Sequence, residues 1–189
     1  MVLDDHDTSA VILDAAAAEV RAHGIRRTTA SDIARRAGVS RQTLYRYWPD
    51  VQSLLAALVT RELVAVMPAP DPGAPASLDA LVQTLVDTAD RVRRMPLLAT
   101  LRHSDPELLA RYVLERVGTS QRLIHGLIAD RVRAGQAAGV VGAGDAGRIA
   151  AMVLLIAQSA VLSAPIAETW LEAGAWRDEL GRALAGYLR

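Results

Sequence analysis

Apolar residues recur every three to four positions along most of the chain, which is the spacing of one face of an α-helix. Val11, Ile12, Ala15, Ala16 and Val20 form the first such face. No stretch shows the alternation of apolar and polar residues, bounded by turn residues, that is typical of a half-buried strand. The pattern therefore predicts an all-α fold. The expected helices are a first from a Thr8 or Ser9 cap to His23, a second from Thr29 to Gly38, a third over Arg41–Tyr47, a fourth after Asp50, and others at roughly 77–94, 96–103, 106–137, 145–163 and 175–188.

Cap signals predict that two of these helices are short and are joined by a tight turn at Gly38. Thr29 and Asp32 have the layout of a capping box at the start of the first, with Asp in place of Glu. Ser40 is a favourable N-cap for the second, which we expect over Arg41–Tyr47. Two short helices with a glycine-containing turn are typical of a helix-turn-helix motif.

The segment between residues 67 and 76 contains four prolines and one glycine, a composition that no continuous helix tolerates. We place a linker there. The predicted domains therefore cover residues 8–64, with the helix-turn-helix at 29–48, and residues 77–189. A second glycine-rich segment, residues 142–147, spells G-x-G-x-x-G, but no strand is predicted before it, so we interpret it as a loop rather than a dinucleotide site.

Composition narrows the class of protein. The chain has 189 residues, 51% of them hydrophobic, and no cysteine, which excludes disulfides, thiolate metal sites and cysteine nucleophiles. The start of the chain lacks the pattern of a secretion signal. The most apolar stretch, residues 150–162, is too short to cross a membrane and contains Gln158 and Ser159. We therefore expect a cytoplasmic protein with no membrane partner.

Charge is distributed unevenly although the net charge is zero. Residues 1–20 contain five acidic residues and no arginine, residues 21–50 contain seven arginines and two aspartates, and the remaining 14 basic and 14 acidic residues balance. The excess positive charge therefore lies in the block that holds the two short helices, which favours an anionic partner such as nucleic acid. Charge alone leaves the alternative of a solvated surface open.

The second short helix begins with side chains that suit base edges in the DNA major groove. Arg41 can bind guanine, Gln42 can pair with adenine, and Thr43 can donate a hydrogen bond or contact a thymine methyl group. Hydroxyl and guanidinium groups on the next turn, and donors at the start of the preceding helix, suit phosphate oxygens. The predicted DNA-binding residues are Thr29, Ser31, Ser40, Arg41, Gln42, Thr43, Tyr45, Arg46 and Tyr47.

The stretch TTASDIARRAGVSRQTLYRYWPDVQSLLAAL resembles the DNA-binding segment of the tetracycline-repressor (TetR) family of bacterial regulators. The resemblance covers roughly residues 9–60 and is densest in DIARRAGVS and TLYRYW. It implies phosphate contacts from Tyr45 and Tyr47, and a packed position in the small domain for Trp48.

One position departs from the family pattern. Val51 stands where the family commonly has a lysine that reaches a phosphate. We therefore expect DNA affinity to depend more on Arg41 and Arg46, with Arg26 or Arg27 as additional sources of positive charge.

The resemblance further implies that the remaining helices form a larger domain, which dimerises through its last two helices and encloses a ligand pocket. The helix at 145–163 is apolar around most of its circumference and must be buried on several sides. We expect it to form the dimer interface with the helix that carries Trp176, Leu180, Leu184 and Leu188; the alternative is an interior helix of a monomer.

The pocket is predicted only by family position. Its many Leu, Ala and Val residues and few polar groups favour an apolar ligand. The two histidines among the candidates lie more than twenty residues apart with no third ligand at metal spacing, so we expect no metal site and no cofactor. The candidate lining residues are Leu98, Leu101, His103, Tyr112, His125, Leu127 and Trp170.

The sequence and the resemblance together predict a ligand-responsive transcriptional regulator, a repressor, that binds a near-palindromic operator in double-stranded DNA as a homodimer. A small-molecule effector in the larger domain would shift the helix at 50–64 and release the operator. The alternatives are an all-α enzyme or small-molecule carrier, in which the two short helices are only scaffold, and a helical protein-interaction module that dimerises without DNA. We expect no enzyme, because the sequence shows no HExxH, no serine-centred elbow and no paired carboxylates.

Overall fold

The computed structural model describes residues 5–68, 73, 75–104, 106, 107, 109, 110, 118–172 and 174–189. Within these ranges the chain forms only helices, turns and loops, which confirms the predicted all-α fold. None of the described helices is long and apolar enough to cross a membrane. The helices are α1 (Asp5–His23), α2 (Ala30–Ala37), α3 (Arg41–Tyr47), α4 (Val51–Val66), α5 (Leu78–Arg93), α6 (Pro96–Ser104), α7 (Thr119–Ala137), α8 (Ala146–Leu162), α9 (Ala164–Ala167) and α10 (Ala175–Leu188).

These helices form two compact units. The first contains α1 to α4 together with α6, and the second contains α5 and α7 to α10. The division into domains at 8–64 and 77–189 stays a prediction; in the structure α6 packs with the first unit. Burial of apolar side chains around α1 holds this unit together. Its core includes Ile12, Val20, Ile33, Leu44, Leu54, Leu58, Leu97 and Leu101.

α1 begins earlier than predicted. The sequence favoured a cap at Thr8 or Ser9, but the helix already includes Asp5. Thr8 is a buried residue inside the helix rather than its cap. Negative side chains near a helix N-terminus interact favourably with the helix dipole, and Asp7 supplies one here.

The other helix limits agree with the prediction within two residues where they can be compared. The prediction of one helix over 106–137 is wrong: Gly118 lies outside any helix and α7 begins only at Thr119, while residues 108 and 111–117 lie outside the described residues. α9 was not predicted. It follows Ser163 and carries a proline in its first turn, a position that proline occupies readily because the missing N–H has no helical partner there.

α10 directs its large apolar side chains inward, which corrects the predicted role of these residues. Trp176, Leu180, Leu184 and Leu188 are buried in the second unit, where α10 packs against α5 and α8. The indole N–H of Trp176 donates to the carbonyl oxygen of Ala160 at 3.1 Å. Because one chain already covers these four side chains, they do not form the predicted face to a second copy.

α8 is apolar on two sides, as its sequence predicted. Ala150, Val153 and Val161 are buried in the second unit. Met152 and Leu155 point outward, with 43% and 54% of their surface exposed. One side of α8 therefore belongs to the core of the unit, and the other offers apolar surface to solvent.

Charged side chains join distant parts of the second unit. Arg177 donates to Asp87 and, at 2.9 Å, to Asp90. Arg93 donates to Asp90 and to Glu168, the latter at 2.7 Å. Burial would raise the pKa of Asp90, but hydrogen bonds from Arg93 and Arg177 outweigh it and hold the pKa below its usual value. The network ties α5 to α10 and to the segment after α9.

In the glycine-rich segment, residues 142–145 lie in the loop after α7, as predicted, whereas Ala146 and Gly147 are already the first residues of α8. The N–H of Gly142 donates to the carbonyl oxygen of Leu188 at 2.8 Å, and a Cβ on Gly142 would lie 2.5 Å from the carbonyl oxygen of Arg189. Glycine is needed here for a close approach of two backbones, not for a phosphate.

Candidate nucleic-acid interface

The turn between α2 and α3 requires a glycine. Gly38 has a φ of 68° in the left-handed region, which side-chain-bearing residues rarely adopt. A Cβ at this position would meet nothing within 4 Å, so backbone conformation rather than space explains the residue. The N–H of Val39 bonds to the carbonyl oxygen of Ala34 at 3.0 Å and closes the turn.

α3 has the predicted limits, Arg41–Tyr47. The Ser40 hydroxyl accepts from the N–H of Thr43 at 3.0 Å, which confirms the predicted cap. Leu44 is completely buried and fixes the inner face of the helix in the core of the first unit. The Ser40 cap and the buried Leu44 together determine which side of this short helix faces outward.

The predicted base-reading residues differ in their surroundings. Arg41 and Gln42 are exposed at the start of α3. Arg41 lies over the ring of Tyr45, with 5.8 Å from Cζ to the ring centre, and in the described part of the chain no carboxylate pairs with it. Thr43 is half-buried, and its hydroxyl lies 2.9 Å from the Ser40 hydroxyl. Arg41 and Gln42 are thus the side chains that are most available to a partner.

The aromatic residues of α3 divide between surface and core. Tyr45 is exposed. Tyr47 and Trp48 are partly buried against the core of the first unit, and their ring centres are 5.7 Å apart. The hydroxyl of Tyr47 accepts from Nη2 of Arg46 at 3.2 Å, and the guanidinium of Arg46 lies over the Tyr47 ring. Tyr47 therefore combines a packed ring with an outward polar edge, which suits its predicted phosphate contact.

The first turn of α2 is closed by a chain of hydrogen bonds. The hydroxyl of Thr29 accepts from the N–H of Asp32 at 3.2 Å and donates to Oδ2 of Asp32 at 2.6 Å. Arg35 donates to Oδ1 of the same carboxylate at 2.6 Å. The Thr29 hydroxyl, followed by Arg35, lowers the pKa of Asp32. Ser31 stays exposed on this turn, whereas the proton of Thr29 is already bound within the protein.

A buried carboxylate that sequence reasoning missed joins α1 to α2. Glu19 accepts from Nε of Arg36 at 2.7 Å and lies 2.9 Å from Nδ1 of His23. The hydrogen bond from Arg36 is the main reason that the pKa of Glu19 is lowered. Its signal in the sequence was an acidic residue on the apolar face of α1, spaced seven from Ile12. The pair fixes α2, and through the turn α3, against α1.

Val51, the departure from the family pattern, is half-buried against the core at the first position of α4. Asp50 caps this helix by accepting from the N–H of Ser53 at 2.6 Å, a bond that lowers the pKa of Asp50. Of the additional cations considered, Arg26 pairs with Glu107 at 2.9 Å and Arg27 donates to the carbonyl oxygen of His23. Both side chains therefore already have partners within the first unit.

The candidate pocket residues fall in both units. Leu98 and Leu101 are buried in the first unit, and His103 there is exposed, with Nδ1 3.0 Å from the Ala99 carbonyl oxygen. Their role as a pocket stays a prediction. In the second unit, Nε2 of His125 lies 2.9 Å from the carbonyl oxygen of Gly147, Leu127 is exposed, and Trp170 is 79% exposed; Tyr112 lies outside the described residues.

Comparison with known proteins gives matches over the interface and over the whole chain. Residues 12–58 match the family model of bacterial regulatory proteins of the tetR family. An uncharacterized HTH-type transcriptional regulator of Mycobacterium bovis is 45% identical over 186 residues, which cover 98% of this chain and 96% of that protein. A regulator of the same description from Mycobacterium tuberculosis shows the same identity and coverage.

Solved structures share the fold. The repressor QsdR of R. erythropolis matches with a TM-score of 0.69 and 18% identity, covering 98% of this chain and 96% of that one. Salmonella enterica GusR matches with a TM-score of 0.64 and 21% identity, covering 99% and 98%. The SmeT–triclosan complex, whose protein is from Stenotrophomonas maltophilia, matches with a TM-score of 0.58 and 21% identity, covering 96% and 90%.

Proposed function

The chain belongs to the TetR family of bacterial transcriptional regulators, and from this premise we propose that it is a ligand-responsive repressor. It binds a near-palindromic operator as a homodimer, and a small apolar effector releases it. The observation that carries the proposal is the outer face of α3. Arg41 and Gln42 are exposed there on a helix that is capped by Ser40 and anchored by Leu44.

Base reading is assigned to the N-terminal end of α3. In a helix-turn-helix, the first residues of the second helix contact base edges in the major groove. Arg41 suits guanine and Gln42 suits adenine, and each well-placed pair contributes roughly 1–3 kcal/mol of discrimination. Tyr45, Arg46 and Tyr47 bind phosphates, which position the helix without reading sequence. Thr43, held by Ser40, contributes mainly through its methyl group.

The proposed dimer uses the outward side of α8 together with the outer face of α10. Met152 and Leu155 are exposed apolar residues at helical spacing on α8, and Tyr187 is exposed on α10. A two-fold axis would bring the same patch of both copies together, so that each contact between the two chains would occur twice. Two α3 helices about 34–36 Å apart would then read successive major grooves, which explains an operator with two-fold symmetry.

Release requires that the effector bind one arrangement of the dimer more tightly than the other. The structural relative SmeT forms a complex with triclosan, an indication that a protein of this fold accommodates a small organic molecule. We propose an apolar effector for this chain, bound among residues of the second unit that include His125. We assign no catalytic residue and place the protein in the cytoplasm, where its DNA is.

The DNA-binding part is tested by retardation of labelled duplexes in a salt series. The purified chain should retard both a fragment that flanks its own gene and a random duplex of equal length. Affinity should fall steeply as salt rises, because arginine contacts with phosphates release counterions. Absence of retardation at low salt, or an affinity that does not change with salt, would contradict the proposal.

The dimer is tested by sedimentation equilibrium at micromolar concentration. The wild-type chain should sediment with the mass of two chains. Leu155→Arg places a charge in the proposed interface and should give the mass of one chain, because a desolvated unpaired charge is costly. Val64→Arg, at a position on α4 that is 48% exposed against 54% for Leu155, is the matched control and should stay dimeric. If the wild-type chain sedimented with the mass of one chain, the proposed dimer would be contradicted.

A further inference from the structure

Arg35 belongs to the last turn of α2, but its side chain extends back toward the first turn, where a phosphate is expected. Arg35 follows Ser31 by four residues, so the two side chains share one face of the helix. Its Nη2 donates to Oδ1 of Asp32 at 2.6 Å, and Oδ2 of Asp32 accepts from the Thr29 hydroxyl at 2.6 Å. These two bonds draw the guanidinium toward the first turn of α2, beside the predicted phosphate-binding residues Thr29 and Ser31.

Arg35 is held much less firmly than its neighbour Arg36. The side chain of Arg35 is 74% exposed, and Asp32 is the one partner found for it among the described residues. Arg36 instead pairs with Glu19, whose side chain is 6% exposed. An exposed ion pair adds little to stability, whereas removing the partner of a buried carboxylate leaves an uncompensated charge. Arg35 can therefore exchange its partner for another anion, and Arg36 cannot.

We infer that Arg35 is a further DNA-backbone-binding residue and that Asp32 competes with the phosphate for its guanidinium. This inference rests on the proposed function. In the unbound chain Asp32 neutralises Arg35 locally. On DNA, a phosphate oxygen takes over hydrogen bonds from the guanidinium, whose planar fork matches phosphate geometry. Asp32 keeps its bonds to Thr29, so the start of α2 stays intact during the exchange.

The competition predicts opposite effects from removal of the two partners. Arg35→Gln removes one phosphate contact, so a plot of log affinity against log salt should lose about 0.9 of its slope. The affinity deficit of this variant should shrink about threefold between roughly 50 and 200 mM salt. Asp32→Asn keeps an acceptor for Thr29 but removes the competing charge, so it should tighten binding on all sequences.

The experiment is fluorescence anisotropy with the full chain, using a labelled flanking fragment and a random duplex of equal length over a salt series. Arg35→Lys keeps the charge and should restore a slope close to wild type. Arg133→Gln is the matched control: Arg133 pairs with Asp130 at the same i, i+3 spacing on α7, and its side chain is also exposed. This control should leave affinity and slope unchanged. The melting temperature of each variant is measured alongside.

A wild-type slope for Arg35→Gln would overturn the inference, as would weaker or unchanged binding by Asp32→Asn. If Arg35 only stabilised α2, Arg35→Gln would lower the melting temperature and weaken binding by the same factor at every salt concentration, which also overturns it. Failure of the wild-type chain to bind either duplex is a failure of the proposed function. A wild-type chain that binds, with Arg35→Gln matching it, refutes the inference alone.

Discussion

The caps that begin α2 and α3 and the ion pairs that join the helices of the second unit differ in reach, which is the distance along the sequence between the bonded residues. Around α2 and α3, the caps join residues three apart, as from Ser40 to Thr43. In the second unit, Arg177 reaches Asp90, 87 residues earlier, and Arg93 reaches Glu168, 75 residues later. The limits of α2 and α3 thus follow from local bonds, whereas their position against α1 and the packing of the second unit depend on contacts that form only when the chain has folded.

Truncation of one core leucine in each unit should have the largest effect on stability. The two variants distinguish the units, because each should destabilise mainly its own. Leu44 and Leu184 are both completely buried. Leu44→Ala and Leu184→Ala should each lower the free energy of unfolding by about 2–5 kcal/mol, because the lost contacts leave a cavity. In urea unfolding followed by tryptophan fluorescence, Leu44→Ala should affect Trp48 first and Leu184→Ala should affect Trp176 first.

The control for these two variants is Val64→Ala, at an exposed position, which should change the free energy of unfolding by no more than about 0.5 kcal/mol. If either leucine variant lowered the free energy of unfolding by less than about 1 kcal/mol, the neighbouring side chains would have to fill the cavity, which would contradict the tight packing of that leucine.

Substitutions on the outer face of α3 should have the next largest effect. They should change DNA binding but not the free energy of unfolding. Arg41→Ala or Gln42→Ala should change the preference at one base pair by roughly 1–3 kcal/mol, since each loses a base-edge contact. Tyr47→Phe should weaken binding to all sequences about equally. Competition titrations with single-base operator variants measure both. A uniform loss from Gln42→Ala would contradict its base-reading role.

Removal of a cap compares the two units at matched positions. Ser40 caps α3 and Ser77 caps α5, each by accepting from the N–H three residues on, at 3.0 and 3.1 Å. Ser40→Ala and Ser77→Ala should each cost about 0.5–2 kcal/mol of stability in denaturant unfolding. Only Ser40→Ala should also weaken DNA binding. Equal losses of DNA affinity from both variants would mean that the loss follows from lower overall stability and not from the Ser40 cap of α3.

Restoration of a lysine at position 51 should have the smallest effect. Val51→Lys adds a possible phosphate contact but removes apolar packing against the core. The slope of log affinity against log salt should become steeper by about 0.9, with a small net gain in affinity at low salt. Gln52→Lys, at the next and exposed position, is the control. An identical gain from both variants would show that position 51 has no special access to DNA.

The difference in reach also explains what could be predicted from the sequence. The limits of α3 and the caps at Thr29, Ser40 and Asp50 follow from short signals, and the structure has them as predicted. The resemblance to the TetR family rests on the same short segment. The start of α1 was misplaced because Thr8 and Ser9, two residues that often cap helices, lie inside a helix that already includes Asp5.

Partners that are distant in sequence could not be predicted. The pairing of Glu19 with Arg36 depends on how α1 crosses α2, which no local pattern specifies. The inward orientation of Trp176 and Leu184 on α10 depends on α5 and α8, because an amphipathic helix can bury its apolar face against its own chain or against a second copy. Apolar periodicity predicts that a face is buried but not what buries it.

Footprinting across the DNA that flanks the gene for this protein tests the central claim most directly. The account predicts one protected region at low salt with two related half-sites, whose centres are separated by about 10–10.5 base pairs or a multiple of that distance. Arg41→Ala or Gln42→Ala should weaken the protection at the base pair that each reads. Absence of protection at every salt concentration, or protection that spreads evenly with no paired half-sites, would contradict it.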